Sequence, residues 1–117
     1  MSRAKGNKGE DTAAEYIEEN GGKVVCRNYY IRGGEVDIVY TDGDTTVFCE
    51  VKLRSRSDYG SPSEYVDFTK QKRICKAALT YASENKKVDE NFRFDIIEII
   101  GGKINHIKAA FEFIEPF

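Results

Sequence analysis

Three acidic residues and one lysine stand in two closely spaced pairs within residues 34–54. Glu35 and Asp37 lie in the first half of this segment, and Glu50 and Lys52 lie in the second half. Residues two positions apart in an extended strand point to the same face, so each pair can share one surface. Two carboxylates about 4 Å apart repel each other by about 4 kcal/mol at a surface-like dielectric constant, which favours a bound cation. Oxygen ligands suit Mg²⁺ or Mn²⁺, and a divalent ion beside a lysine suits phosphodiester hydrolysis.

The turn between two apolar runs decides whether these side chains meet. An Asp-Gly pair at residues 42–43 is a strong hairpin signal between runs rich in β-branched and aromatic residues. A connection with an even number of residues predicts that Asp37 lies opposite Phe48 and that Glu35 lies opposite Glu50. Asp37 and Glu50 are then diagonal neighbours, with Cβ atoms roughly 7 Å apart or less. The same register gives an apolar face that is expected to be the core side: Val36, Ile38, Tyr40, Val47, Cys49, Val51 and Leu53.

Helical periodicity brings in a further acidic residue. A helix is predicted from residue 7 or 8 to residue 20, where a Gly-Gly pair ends it. Glu10 lies at the N-terminal end of the apolar face of this helix, which directs its carboxylate toward the protein. Stabilisation of the first turn by the helix dipole is an equal alternative for Glu10. The hairpin charges also have an alternative, which is a solvated sheet face with a salt bridge between Glu35 and Lys52.

Basic residues follow the hairpin directly and also open the second predicted helix. Arg54 and Arg56 begin a stretch rich in Ser, Gly and Pro, which predicts a loop without regular structure. A helix is predicted for residues 67–85, with Lys70 on the side of its apolar stripe and Arg73 pointing outward. These cations are candidates for contacts with nucleic-acid phosphates. A solvated loop and an ordinary charged helix surface are the alternatives.

The acidic residues and lysine also carry a resemblance to a known family. Asp37 followed by Glu50-Val51-Lys52 resembles the Asp…Glu-X-Lys signature of the restriction-endonuclease-like PD-(D/E)XK superfamily, which includes archaeal-type Holliday junction resolvases. More specifically, the chain resembles the bacterial YraN-type family of that superfamily. The resemblance covers nearly the whole chain through these segments: Gly9-Glu10, Arg27-Asn28, Gly34-Glu35-Val36-Asp37, residues 48–54, Gly60, Lys70 with Arg73, Arg93-Phe94-Asp95, His106-Ile107 and Ala110-Phe111. Val36 stands where proline often precedes the aspartate.

The resemblance implies a nuclease fold with a metal site for Mg²⁺ or Mn²⁺. The residues expected to act there are the metal ligands Asp37, Glu50 and Glu10, the Val51 carbonyl as a further ligand, and Lys52. Lys52 would orient the attacking water or stabilise the transition state. Glu35 would support the metal ligands without contacting the metal.

The order of predicted elements is helix, three strands, helix and strand, followed by a C-terminal strand. Besides the hairpin, strands are predicted at residues 23–30, 92–100 and 103–108. We therefore expect an α/β fold with a restriction-endonuclease-like core, in which helices flank a mixed β-sheet. One nuclease-like domain is expected to span residues 1–117.

Composition limits the function classes. A formal net charge of −2 and a pI near 5.5 argue against tight, non-specific binding to nucleic acid. Three cysteines without a Cys-X-X-Cys motif predict buried thiols, and the single histidine, His106, is predicted to be structural. No apolar run approaches the roughly 18 residues of a membrane-spanning helix, and the N-terminus is polar, so a cytoplasmic protein is expected.

These features favour a metal-dependent DNA endonuclease or phosphodiesterase that acts on branched or damaged DNA. A second hypothesis is a non-catalytic protein with a nuclease fold, which binds nucleic acid or a protein partner. Cutting a DNA junction needs two active sites, so the first hypothesis also predicts a homodimer.

Overall fold

The computed structural model describes residues 8–54, 66–87 and 90–117. Within this part of the chain the elements follow the order α1 (Lys8–Glu19), β1 (Lys23–Ile31), β2 (Gly34–Asp42), β3 (Thr45–Arg54), α2 (Phe68–Glu84), β4 (Asn91–Ile100) and β5 (Lys103–Phe111). This order confirms the predicted α/β class, including the C-terminal strand. The loop predicted around Arg56 and the motif residue Gly60 lie outside the described residues.

The five strands form one mixed sheet in the order β1-β2-β3-β4-β5. β3 and β4 pair in parallel, and the other neighbouring strands pair antiparallel. A parallel pair needs a crossover connection, and α2 lies in the connection between β3 and β4. Neither helix in the described residues is long and apolar enough to cross a membrane.

The two helices cover different faces of the sheet. Val39 and Phe48 pack against the buried stripe of α2, which consists of Ile74, Cys75, Ala77, Ala78 and Tyr81. Ile38, Tyr40, Val47 and Cys49 pack with Ala13 and Ile17 of α1. Because neighbouring residues of β2 and β3 enter different clusters, both strands are buried on both sides.

The predicted apolar face of the hairpin is correct at most of its positions and wrong at both ends. Val36 packs in the cluster of α2 with Val39, although Ile38 packs in the cluster of α1, so the alternation of β2 breaks at Asp37. Leu53 is 64% exposed. This face is therefore no longer buried in the core near the end of the hairpin, where the charged residues lie.

The hairpin register differs from the predicted one by two residues. Val39, not Asp37, pairs with Phe48, and the ladder between β2 and β3 ends at Ile38 and Cys49. Glu35 pairs with Tyr30 of β1 instead of Glu50. The last pair before the turn is Asp42 with Thr45, so residues 43–44 form the connection. A register shift of two residues does not by itself move any side chain to the other face, so the change at Val36 comes from the break in alternation at Asp37.

Asp67 caps the N-terminus of α2, since its carboxylate accepts a hydrogen bond of 2.8 Å from the backbone N–H of Lys70. We expect Asp67→Ala to lower the free energy of unfolding by about 1 kcal/mol, because that N–H loses its partner. Urea denaturation measures the change. Ser83→Ala, at an exposed position near the other end of α2, is the control and should change it by less than about 0.5 kcal/mol. Equal midpoints for the two variants would contradict this role of the cap.

Candidate functional site

The site lies where β2 and β3 separate. Beyond the last paired residues of the ladder, Oδ2 of Asp37 accepts a hydrogen bond of 2.8 Å from the backbone N–H of Val51. The Asp37 carboxylate thus accepts a backbone hydrogen bond that a neighbouring strand would otherwise accept. This contact joins β3 to β2 at the residue where the alternation of β2 breaks. Glu50 lies next to Val51, and its carboxyl group is close enough to that of Asp37 for the negative charge of Asp37 to raise its pKa.

Glu50 is a buried acid between a carboxylate and two lysines. Its side chain is 6% exposed, and its Oε2 lies 3.7 Å from Nζ of Lys52 and 3.6 Å from Nζ of Lys70. Burial first, and then repulsion from Asp37, raise the pKa of Glu50 to about 8. The two lysines oppose this shift without cancelling it, so in the protein without a bound cation Glu50 keeps its proton to a higher pH than an ordinary glutamate does.

Glu35 links β2 to the first turns of α2. Its Oε2 accepts a hydrogen bond of 2.7 Å from Nζ of Lys70, and its Oε1 accepts one of 2.7 Å from Nη2 of Arg73. The hydrogen bonds from Arg73 and Lys70 lower the pKa of Glu35. Lys70 lies on the side of the apolar stripe, as predicted, and its ammonium group reaches Glu35 and Glu50. Arg73 is 44% exposed, which agrees with its predicted outward position, but its guanidinium turns back to bind Glu35.

Glu10 reaches the site from α1, on the other face of the sheet. Its carboxylate accepts a hydrogen bond of 2.9 Å from the amide of Asn28 and lies 3.7 Å from the guanidinium of Arg27. Asn28 has a left-handed backbone with φ of 54°, a conformation that asparagine tolerates better than most residues. Burial first, and then the negative charge of Asp37, raise the pKa of Glu10, so these two carboxylates are electrostatic neighbours.

The described residues contain no group of three or more His, Cys, Asp and Glu side chains that is arranged to hold a metal ion. The predicted set of three carboxylates is therefore not assembled as a closed cage, and Glu10 is held by Asn28. Mg²⁺ typically uses one or two carboxylates and completes its shell with water and phosphate oxygens. The pair of Asp37 and Glu50 fits that need, since Oε1 of Glu50 is buried and has no hydrogen-bond partner among the described residues.

Three of the other predicted site residues, Val51, Lys52 and Arg54, lie on β3. Lys52 faces Glu50, and Arg54 is half-buried at the end of the strand. Val51 is half-buried, and its N–H is the group that binds Asp37. Arg56 lies outside the described residues.

A second polar cluster, which was not predicted as a unit from the sequence, is centred on Asp95. Its carboxylate is fully buried and accepts hydrogen bonds from Arg93, Tyr40, His106 and the backbone N–H of Ala109. The other ring nitrogen of His106 lies 2.9 Å from the hydroxyl of Tyr16. His106 is structural, as predicted, because it joins β5 to β4 and α1. The signal in the sequence is an aspartate inside a strand rich in Ile and Phe.

A mixed sheet with a helix on each face, and an Asp…Glu-X-Lys set where two strands diverge, define an α/β protein with a nuclease-like core. The chain belongs to the "Uncharacterised protein family UPF0102", whose family model matches residues 9–99. This confirms the resemblance to the YraN-type family.

Relatives in distant bacteria match over most of their length. A UPF0102 protein of Geobacter metallireducens is 44% identical over 95% of this chain and 94% of its own. A UPF0102 protein of Persephonella marina is 40% identical over 96% of this chain and 97% of its own. A UPF0102 protein of Clostridium tetani is 44% identical over 92% of this chain and 93% of its own.

Proposed function

We propose that this protein is a metal-dependent DNA endonuclease, a phosphodiesterase whose substrates are branched or damaged DNA. The observation that carries the proposal is the carboxyl pair of Asp37 and Glu50, with two lysine ammonium groups within 4 Å of Glu50. A protein that only binds nucleic acid has no physical need to bury an acid against another acid. Such an arrangement costs stability unless a cation joins it.

Each residue of the site has a definite task in phosphodiester hydrolysis. Asp37 and Glu50 would hold Mg²⁺ or Mn²⁺, which supplies charge neutralisation at the phosphate and acidifies a bound water. Lys52 lies beside Glu50 and stabilises the negative charge that develops on the phosphate, or orients the water that attacks it. Glu10 adds negative charge next to Asp37, and Asn28 fixes the direction of its carboxylate.

The proposal is tested first by metal binding. Isothermal titration of Mn²⁺ into wild type should show binding that weakens at least tenfold in Asp37→Asn, because the amide cannot supply a charged ligand. Asp44→Asn, at an exposed position in the hairpin turn, is the matched control and should bind Mn²⁺ like wild type. Circular dichroism verifies that each variant is folded.

Branched, nicked and single-stranded DNA are then screened for cleavage with Mg²⁺ and with Mn²⁺. Cleavage by wild type that is lost in Asp37→Asn supports the proposal. If wild type neither binds Mn²⁺ in the presence of DNA nor cleaves any of these substrates, the proposal fails and the non-catalytic alternative replaces it.

A further inference from the structure

Glu35 holds two cations of α2, one with each of its carboxylate oxygens. The two contacts, to Nη2 of Arg73 and to Nζ of Lys70, are both 2.7 Å long. The guanidinium of Arg73 and the ammonium of Lys70 bind one carboxylate from two directions. Together they form a binding site for an oxyanion, which we call the cradle. A phosphate group offers the same kind of acceptor oxygens, and arginine and lysine are the usual side chains that bind it.

Close packing of the backbone places this cradle beside the strand. A Cβ atom on Gly34 would lie 2.7 Å from the carbonyl oxygen of Arg73 and 3.0 Å from the backbone nitrogen of Ala77. Only glycine therefore allows β2 to approach α2 so closely at this point. Glu35, the next residue, is brought beneath the first turns of α2, within reach of both cations.

The cradle is open to solvent and adjoins the carboxyl pair. The side chains of Glu35, Lys70 and Arg73 are 27%, 25% and 44% exposed, so a ligand can reach them. Ion pairs at such exposure typically contribute no more than about 1 kcal/mol each, and a competing anion can displace them. Lys70 also lies 3.6 Å from Glu50, which puts the cradle next to the proposed metal ligands.

We propose that Lys70 and Arg73 form a subsite for a phosphate of the nucleic-acid backbone, and that Glu35 occupies this subsite until a substrate phosphate displaces it. The inference rests on the proposed function and deepens it, because it assigns the phosphate next to the cleaved bond to α2. Glu35 then competes with the substrate. Its removal strengthens binding, whereas a residue that merely supported the site would weaken binding when removed.

The test uses Glu35→Gln, which keeps the shape of the side chain and removes its charge. Fluorescence anisotropy measures binding of a labelled single-stranded oligothymidylate in EDTA, so that metal and cleavage play no part. We expect Glu35→Gln to bind about threefold to tenfold more tightly than wild type. The dependence of log Kd on log salt should become steeper by about 0.7 for each additional phosphate that the variant neutralises.

Asp42→Asn is the matched control for the general effect of removing one negative charge. Asp42 also pairs with an arginine, Arg93 at 3.0 Å, but it lies at the other end of β2, more than about 20 Å away. Its variant should bind the oligonucleotide within twofold of wild type. Lys70→Met should weaken binding and should cancel the improvement when it is combined with Glu35→Gln.

The outcomes separate this inference from the proposed function. Unchanged or weaker oligonucleotide binding by Glu35→Gln overturns the inference. An equal gain in affinity in Asp42→Asn also overturns it, and so does a failure of both wild type and Glu35→Gln to bind the oligonucleotide. Metal-dependent cleavage by wild type is measured separately and decides the proposed function alone. Tighter binding by Glu35→Gln without any cleavage by wild type would support the phosphate subsite and overturn the proposed nuclease activity.

Discussion

Glu50→Gln is expected to reduce metal-dependent DNA cleavage at least a hundredfold, which corresponds to about 2.7 kcal/mol of lost transition-state stabilisation. The amide has nearly the volume of the carboxyl group, so the buried packing around it is preserved. It cannot carry the negative charge that binds the metal between Asp37 and the lysines. Single-turnover cleavage assays with Mg²⁺ measure the loss, and a rate within tenfold of wild type would contradict the role of Glu50 as a metal ligand.

The same substitution should stabilise the protein in the absence of metal. The pKa of Glu50 is about 8 in the folded protein against an ordinary value of 4.5, so the folded state keeps a proton that the unfolded state releases. Stability associated with this proton is fully present below about pH 4.5 and is lost as the pH rises through 8. The whole shift corresponds to roughly 5 kcal/mol. We expect a gain of about 2 kcal/mol at pH 8, since the variant also removes the charge that Lys52 and Lys70 face.

Urea denaturation in EDTA at several pH values checks this sign. The free energy of unfolding of wild type should fall relative to Glu50→Gln between about pH 4.5 and 8, and the two should converge at lower pH. Addition of Mg²⁺ should narrow the difference at pH 8, because a divalent ion favours the ionised form of Glu50. A variant that is less stable than wild type at pH 8 in EDTA would show that burial of this acid is not costly.

The parts of the site that follow from strand and helix periodicity could be predicted from the sequence. Glu50 and Lys52 share a face because strand side chains alternate, and Asp37 reaches the same place because the turn has an even number of residues. Lys70 was placed correctly because it lies one turn before the apolar stripe of α2. These inferences depend only on the periodicity of side chains along strands and helices. A register shift of two residues leaves the alternation along a strand unchanged.

The parts that depend on contacts between distant elements could not be predicted. The direction of Arg73 is set by Glu35, a residue of another strand, and the helix pattern alone leaves it on the surface. The break in alternation at Asp37 arises where the ladder ends and a side chain binds the backbone of Val51. A propensity argument contains no information on such a side-chain contact, because it treats each strand separately.

Asp95→Asn is expected to lower the free energy of unfolding by about 3 kcal/mol or more, because it removes a buried charge on which several elements converge. Asp95 accepts from Nε and Nη2 of Arg93, at 2.9 and 3.0 Å, and from Nε2 of His106, at 2.7 Å. Hydrogen bonds from His106 and Arg93 are the leading effects that lower its pKa, against the cost of burial. This stabilisation is present above the ordinary pKa of 3.8 and is lost only under more acidic conditions.

The same carboxylate also fixes the backbone at a bulge. The pairing of β4 with β5 shifts between Phe94 and Ile96, and the N–H of Ala109, which has a left-handed φ of 54°, donates to Asp95 at 3.0 Å. An asparagine can accept that bond only with its single carbonyl oxygen, which leaves Nη2 of Arg93 and Nε2 of His106 facing an amide N–H donor. Loss of stability should therefore come from unmatched donors and not from a cavity.

Asp42→Asn separates this effect from the loss of any carboxylate near Arg93. Asp42 contacts the same guanidinium at 3.0 Å but has a side chain that is 41% exposed, so its substitution should cost less than about 1 kcal/mol. Urea midpoints of both variants are compared at pH 7. Equal losses would mean that Asp95 acts only as a surface-like partner of Arg93, and that the links to Tyr40, His106 and Ala109 contribute nothing to the joining of α1 and β5 to the sheet.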